Sequence, residues 1–145
     1  MTIAEARPAS TVVLLRPAHP FDVFLVRRSD SIAFMGGAHV FPGGRVDAAD
    51  EIDDIDAAGD GSAAAAARMP DVRPQIAVAY HVAALRELFE EAGVLLARPL
   101  TATPADRLAD HRRDLLAGTI TFAAIIRRER LRLALDELAY FAHWV

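Results

Sequence analysis

Residues 84–94, Ala-Leu-Arg-Glu-Leu-Phe-Glu-Glu-Ala-Gly-Val, constrain this chain more than any other stretch. Their spacing predicts a helix on which Glu87, Glu90 and Glu91 stand at i, i+3 and i+4, three carboxylates on one face with Cβ atoms roughly 5–6 Å apart. Gly93 reads as the C′ glycine that ends the helix, so the acids lie at the negative end of its macrodipole as well as against one another. Local stability would favour Lys or Arg there. A divalent cation would offset the repulsion, and hard ions such as Mg²⁺ or Mn²⁺ take oxygen ligands of this kind. Taken alone, three glutamates are more often a solvated face, with Arg86 pairing Glu90 at i, i+4.

At 145 residues, 53% hydrophobic and 25% charged, the chain predicts a single globular domain, residues 1–145. Sixteen Lys and Arg against twenty Asp and Glu leave a net charge of −4 with scattered arginines, which argues against general nucleic-acid binding. The absence of Cys excludes disulfides and thiolate metal sites and suits a reducing cytosol. Residues 1–10 hold Glu5, Arg7 and Pro8 and no continuous apolar run, so neither a signal peptide nor a membrane anchor is expected. A soluble, cytoplasmic chain is the expectation.

In order, residues 11–15 and 21–26 predict two antiparallel strands around the turn signal Pro17-Ala-His-Pro20. Phe34 and Met35 are expected to cover one end of the sheet. Residues 38–41 predict a third strand running into a turn at Pro42-Gly43-Gly44, where glycine lets backbone approach a ligand or metal closely. Residues 47–60 hold seven acids and no base, followed by an alanine run. That composition predicts a surface loop with at most one helical turn.

The acid helix should begin just after Pro74, with Ala77, Ala84 and Leu88 on an apolar stripe against a sheet and His81 partly exposed. Residues 94–96 continue as a strand. Thr103 is the expected N-cap, with Pro104 first, of a helix running to about Leu116 and stopping at Gly118. Another helix starts near Thr121, carries Phe122, Ile125 and Ile126, and ends in Arg127, Arg128 and Arg130, placed for the helix dipole or for an anionic substrate. The last six residues predict a strand entering the core, which makes the chain look truncated at its carboxyl end.

The string R-E-aliphatic-x-E-E-x-G arises by chance in roughly one of tens of thousands of chains this long. It resembles the second half of the Nudix box, matched by Arg86, Glu87, Leu88, Glu90, Glu91, Gly93 and Val94, with Phe41-Pro42-Gly43-Gly44 as the segment that opens the box. Here 42 positions separate Gly44 from Arg86, about 28 more than in the family, so residues 51–74 are read as an insertion inside the box. Asp50 stands where the family has its first box glutamate. Such an insertion is similar to that of a coenzyme A diphosphatase-like subgroup. The extra pattern of CoA-cleaving members is matched by Arg28, Ser29, Gly37 and residues 41–44, while Ala33 stands where a second arginine is expected and Val26 where Thr is.

This resemblance implies an α+β Nudix fold, an α/β/α sandwich with a mixed central sheet on which the box helix packs, incomplete at the carboxyl end. It implies a pyrophosphohydrolase that uses Mg²⁺ or Mn²⁺ to cleave a nucleoside diphosphate linked to another moiety, with CoA or acyl-CoA preferred. NADH, ADP-ribose and dinucleoside polyphosphates are alternatives, as is a non-catalytic module that binds a nucleotide or protein partner. The implied metal ligands are Glu87, Glu90, Glu91 and the Gly44 carbonyl. Catalytic roles fall to Glu87, Arg86 and Glu90, and substrate binding to Arg28, Ser29, Gly37, Phe41 and Gly43. The partner is a small nucleotide, with self-association possible through the carboxyl-end edge.

Overall fold

A computed structural model describes residues 6–31, 33, 35–52, 58–99 and 103–144. Its strands are β1 (Ala9–Thr11), β2 (Leu15–Pro17), β3 (Phe21–Val23), β4 (Val26–Arg27), β5 (His39–Val40), β6 (Gly43–Arg45), β7 (Gly59–Asp60), β8 (Ala97–Pro99) and β9 (Leu131–Ala134). Its helices are α1 (Ser62–Ala67), α2 (Pro74–Ala92), α3 (Ala105–Leu116) and α4 (Phe122–Arg128), with short 3-10 turns at Ala48–Asp50 and Leu135–Glu137. The pairings β1–β6, β2–β3 and β4–β5 are antiparallel, whereas β9 pairs parallel with β7 and antiparallel with β8. The result is an α+β fold with mixed pairing.

The acid helix is α2, and local chemistry sets both of its ends. Pro74 occupies the first turn, and Gly93 follows the last residue with φ 70°, its N–H bonding the Phe89 carbonyl. The expected single apolar stripe is wider than that. One side of α2 packs Val78, Val82, Leu85 and Phe89 against Phe122, Ile125, Leu133 and Leu135; another packs Ala84 and Leu88 against Val12. The helix is therefore the centre of the core. Phe89 and Phe122 meet with ring centroids 6.3 Å apart.

Several local expectations shift. The run at residues 11–15 divides, because Val12 is buried against α2 while Leu15 begins a separate exposed hairpin. The N-terminal strand pairs instead with Gly43–Arg45, so the double glycine lies in a strand and not in a free turn. Residues 94–96 precede β8 and do not form the strand themselves. Thr103 does not cap α3: Pro104 occupies the cap position and no side chain bonds there. Thr121 does cap α4, accepting the Ala124 N–H at 3.2 Å. Met35 is exposed and covers nothing, and Phe34 lies outside the described residues.

The insertion is the larger correction. Ala58, Ser62, Ala65 and Met69 are buried, and α1 packs against α2. Gly59 has φ 153°, and a Cβ there would run into the Leu133 carbonyl, so glycine is what allows β7 to lie beside β9. Asp60 then binds Arg98 at 3.0 Å and Arg132 at 2.7 Å. Composition misled because small alanines bury in a tight interface, and an acid with two arginine partners need not face water.

The carboxyl end is the other. The strand is Leu131–Ala134, which supplies the buried Leu133, whereas residues 138–144 are not a strand. Phe141 and Trp144 are 92% and 88% exposed. Tyr140 is also exposed, and the backbone of that segment meets the body through Arg68, which donates to the Leu138 carbonyl.

Candidate active site

Arg86 is the hub of the acid cluster. It is buried in mid-helix, and its guanidinium reaches in three directions. Nε donates to Asp50 Oδ1 at 2.9 Å and Nη2 to Asp50 Oδ2 at 3.1 Å, a bidentate pair across 36 residues. Nη2 also donates to the Arg45 carbonyl at 2.8 Å. Nη1 bridges Glu87 Oε1 at 2.9 Å and Glu90 Oε1 at 3.2 Å. Burial works against the charge of Arg86, but the hydrogen bonds and charges of Asp50 and Glu87 win and hold it protonated above its ordinary range.

Asp50 is thus the partner of the box arginine, and it is 1% exposed. Its Oδ2 also accepts the Asp47 N–H at 2.8 Å, closing a capping box on the 3-10 turn. The insertion begins only after this pair is formed.

The three glutamates differ in setting. Glu87 lies against Gly44, where a Cβ would overlap its carboxylate. Burial, helped by the charges of Glu90 and Glu91, pushes its carboxyl pKa up despite Arg86. Glu90 is half-buried beside Arg86, and Glu91 is exposed, its Oε2 accepting the Gly43 N–H at 3.0 Å. In donor chemistry the set fits a hard divalent cation, since Asp47, Asp50, Glu87 and Glu90 share the one Arg86 guanidinium and Glu87 is left short of positive charge. Among the described residues, however, no three acid or His side chains converge closely enough to hold an ion. Arg86 Nη1 lies between Glu87 and Glu90, and Glu91 is turned to the β6 backbone.

Beside Glu91 opens a cleft of about 680 Å³ lined by Thr11, Val26, Arg27, Arg28, Ser29, His39, Val40, Phe41, Gly43 and Glu91. Of the residues that the sequence nominates for substrate, Arg28, Ser29, Phe41 and Gly43 are in this wall. Gly37 is not. It packs instead on the ion pair of Arg27 with Asp30, 2.8 Å long. The Arg28 Nε is buried and has no hydrogen-bond partner among the described residues. His39, which no sequence signal separated from its strand, stands directly across the β4–β5 ladder from Arg27. Arg127 and Arg128 end α4 and take no part in this wall.

His81 is buried, not partly exposed as expected. Its Nδ1 lies 2.8 Å from the Ala77 carbonyl one turn earlier, to which it donates. Burial, with the nearby Arg68 charge, keeps its pKa below the ordinary value despite that bond. It is far from the acid cluster along the helix and does not line the cleft.

The fold and the acid-helix constellation resemble those of Nudix hydrolases. A crystal structure of a NUDIX hydrolase from Alicyclobacillus acidocaldarius superposes with a TM-score of 0.54 at 25% identity, covering 92% of this chain and 59% of that one. Among curated proteins, the human acyl-coenzyme A diphosphatase NUDT19 is 39% identical over 111 residues, 61% of this chain. The chain spans 30% of the length of that relative. No family model matches the sequence.

Proposed function

We propose that the chain hydrolyses a diphosphate bond in a nucleoside diphosphate linked to another moiety, using Mg²⁺ or Mn²⁺, with CoA or an acyl-CoA as the preferred substrate class. One observation carries the reading: Glu91, at the end of the acid helix, lines the same cleft as Arg27, Arg28 and His39. A carboxylate for a cation and donors for an anion thus line the same space. Glu87, Glu90 and Glu91, with the Gly44 carbonyl, are the residues that would hold the ion. A bound divalent ion would neutralise the diphosphate and lower the pKa of water beside it.

The remaining roles belong to the chain's own groups. Arg86 orients Glu87 and Glu90 through charge-assisted bonds and is itself locked by Asp50. Glu87, with its raised pKa, is the candidate base for the attacking water. Arg28 offers its unpartnered Nε to a phosphate oxygen, and the exposed ring of Phe41 offers a flat apolar face to a base or acyl group. That the human relative is an acyl-coenzyme A diphosphatase supports the CoA preference. No helix among the described residues is long and apolar enough to cross a membrane. Action on a small molecule and a cytoplasmic location belong to the same proposal.

A non-catalytic nucleotide-binding module is the second reading, favoured by the absence of three converging ligands among the described residues. Titration calorimetry with Mn²⁺, followed by a phosphate-release screen over CoA, NADH, ADP-ribose and dinucleoside polyphosphates, tests both. Metal-dependent release from CoA supports the hydrolase. Nucleotide binding without release from any of the four supports the module.

A further inference from the structure

We propose that Arg112, on α3 and outside the box, is a positioning residue for the cation site, gripping the end of α2 so that Glu90 and Glu91 keep their places. The proposal rests on the assignment of those carboxylates to cation binding made above. The Arg112 Nε donates to the Phe89 carbonyl at 3.0 Å and the Glu90 carbonyl at 2.9 Å, and Nη2 donates to the Glu91 carbonyl at 3.3 Å. A helix leaves its last four carbonyls without intrahelical partners. At this helix end Gly93 serves only Phe89, so the guanidinium is the side-chain partner for the backbone of the two residues whose carboxylates form the site.

The arginine is itself aimed by the packing of α3. Its neighbour His111 is buried, with Nε2 2.7 Å from Glu129 Oε1, and Arg107, one turn earlier, reaches Glu129 Oε2 at 3.3 Å. Glu129 directly follows α4, so two helices converge to fix the base of the Arg112 side chain. From the other side, the Gly43 N–H holds the Glu91 carboxylate. Glu91 is therefore tied at its backbone by α3 and at its side chain by β6. Without the first tie, the last turn carries three mutually repelling carboxylates at the negative end of the dipole and frays.

Charge alone predicts the opposite sign. Removing a cation beside the acids strengthens their attraction for a divalent ion, whereas losing the grip weakens binding. The direction of the change therefore decides. Titration calorimetry with Mn²⁺ is run on the unmodified chain and on Arg112→Gln, Arg112→Lys and Arg107→Ala, each checked for folding by circular dichroism. We expect Arg112→Gln to weaken Mn²⁺ binding about tenfold, the scale of lost outer-shell support, and Arg112→Lys to weaken it less. Arg107→Ala, which removes the longer contact of a largely exposed side chain to Glu129 and keeps the buried His111–Glu129 bond that aims Arg112, should leave it unchanged. Equal or tighter binding by Arg112→Gln overturns the proposal; should that variant not fold, unmodified affinity in Arg112→Lys does so. An equal loss in Arg107→Ala would make the effect a general loosening of α3 and also overturn it. If the unmodified chain binds no Mn²⁺, the site assignment itself fails and the proposal with it.

Discussion

Replacing Asp50 by Ala should be among the most damaging single changes in the chain. The carboxylate is 1% exposed, and both of its oxygens are committed: Oδ1 to Arg86 Nε, Oδ2 to Arg86 Nη2 and the Asp47 N–H. Removal leaves a buried guanidinium without its bidentate partner, a loss of about 3–5 kcal/mol when one member of a buried pair is deleted. Glu87 and Glu90 still touch Nη1, which places the expectation at the lower end of that range. Against a total stability of about 5–15 kcal/mol this is a large fraction. With a urea slope of about 2 kcal/mol per molar, the unfolding midpoint should fall by roughly 1.5 M. Asp50→Asn should do little better, because both carboxylate oxygens are acceptors and its NH₂ must face a donor whichever way it is turned. Asp50→Glu restores the charge, and most of the loss should be recovered. Urea titrations followed by circular dichroism measure all three. A midpoint for Asp50→Ala within about 0.3 M of the unmodified chain, less than 1 kcal/mol at that slope, would refute the claim that this pair anchors the site.

Excising residues 58–70 should abolish cooperative thermal unfolding, because Ala58, Ala65 and Met69 leave the core and β9 loses its parallel neighbour; a sharp transition at the original temperature would show that the insertion is dispensable. Glu90→Gln and Glu91→Gln should each lower metal-dependent hydrolysis at least about a hundredfold with stability changed by less than about 1 kcal/mol, since each removes like-charge repulsion at the helix end; unchanged turnover in both would move the site elsewhere. Stability should fall on acidification below pH 6.5, the ordinary value for His81, because the folded state holds this ring neutral while the unfolded chain takes up the proton. The contribution is complete above 6.5 and is lost as pH drops toward the depressed folded pKa. Urea midpoints between pH 7.5 and 5.5 test this, and His81→Gln should flatten the profile. Phe141 and Trp144, almost fully exposed, should promote self-association that dilution or Phe141→Ser with Trp144→Ser reverses in light scattering; concentration-independent monomer in the unmodified chain would contradict that.

The sequence by itself determined the elements whose signals are local. Pro74 and Gly93 bound α2 because one tolerates only a first turn and the other accepts the left-handed conformation. Gly118 and Thr121 mark the end of α3 and the start of α4 for similar reasons, and the spacing of Arg86, Glu87, Glu90 and Glu91 is a property of any helix. What only the tertiary structure decided depends on partners far along the chain. Residues 58–70 look like a solvated acidic loop until β9 and α2 supply a parallel strand and a surface for small side chains. His81 reads as partly exposed until the fold buries it, Leu131–Ala134 becomes the core strand beside β7, which Gly59 lets approach, and Phe141 and Trp144 stay outside. Arg112 carries no local sign of its task, since the carbonyls it holds come from a helix end some twenty residues earlier. The acid face can be read from residue spacing, but the buried Asp50, the cleft beside Glu91 and the grip on the helix end exist only once the chain has closed on itself.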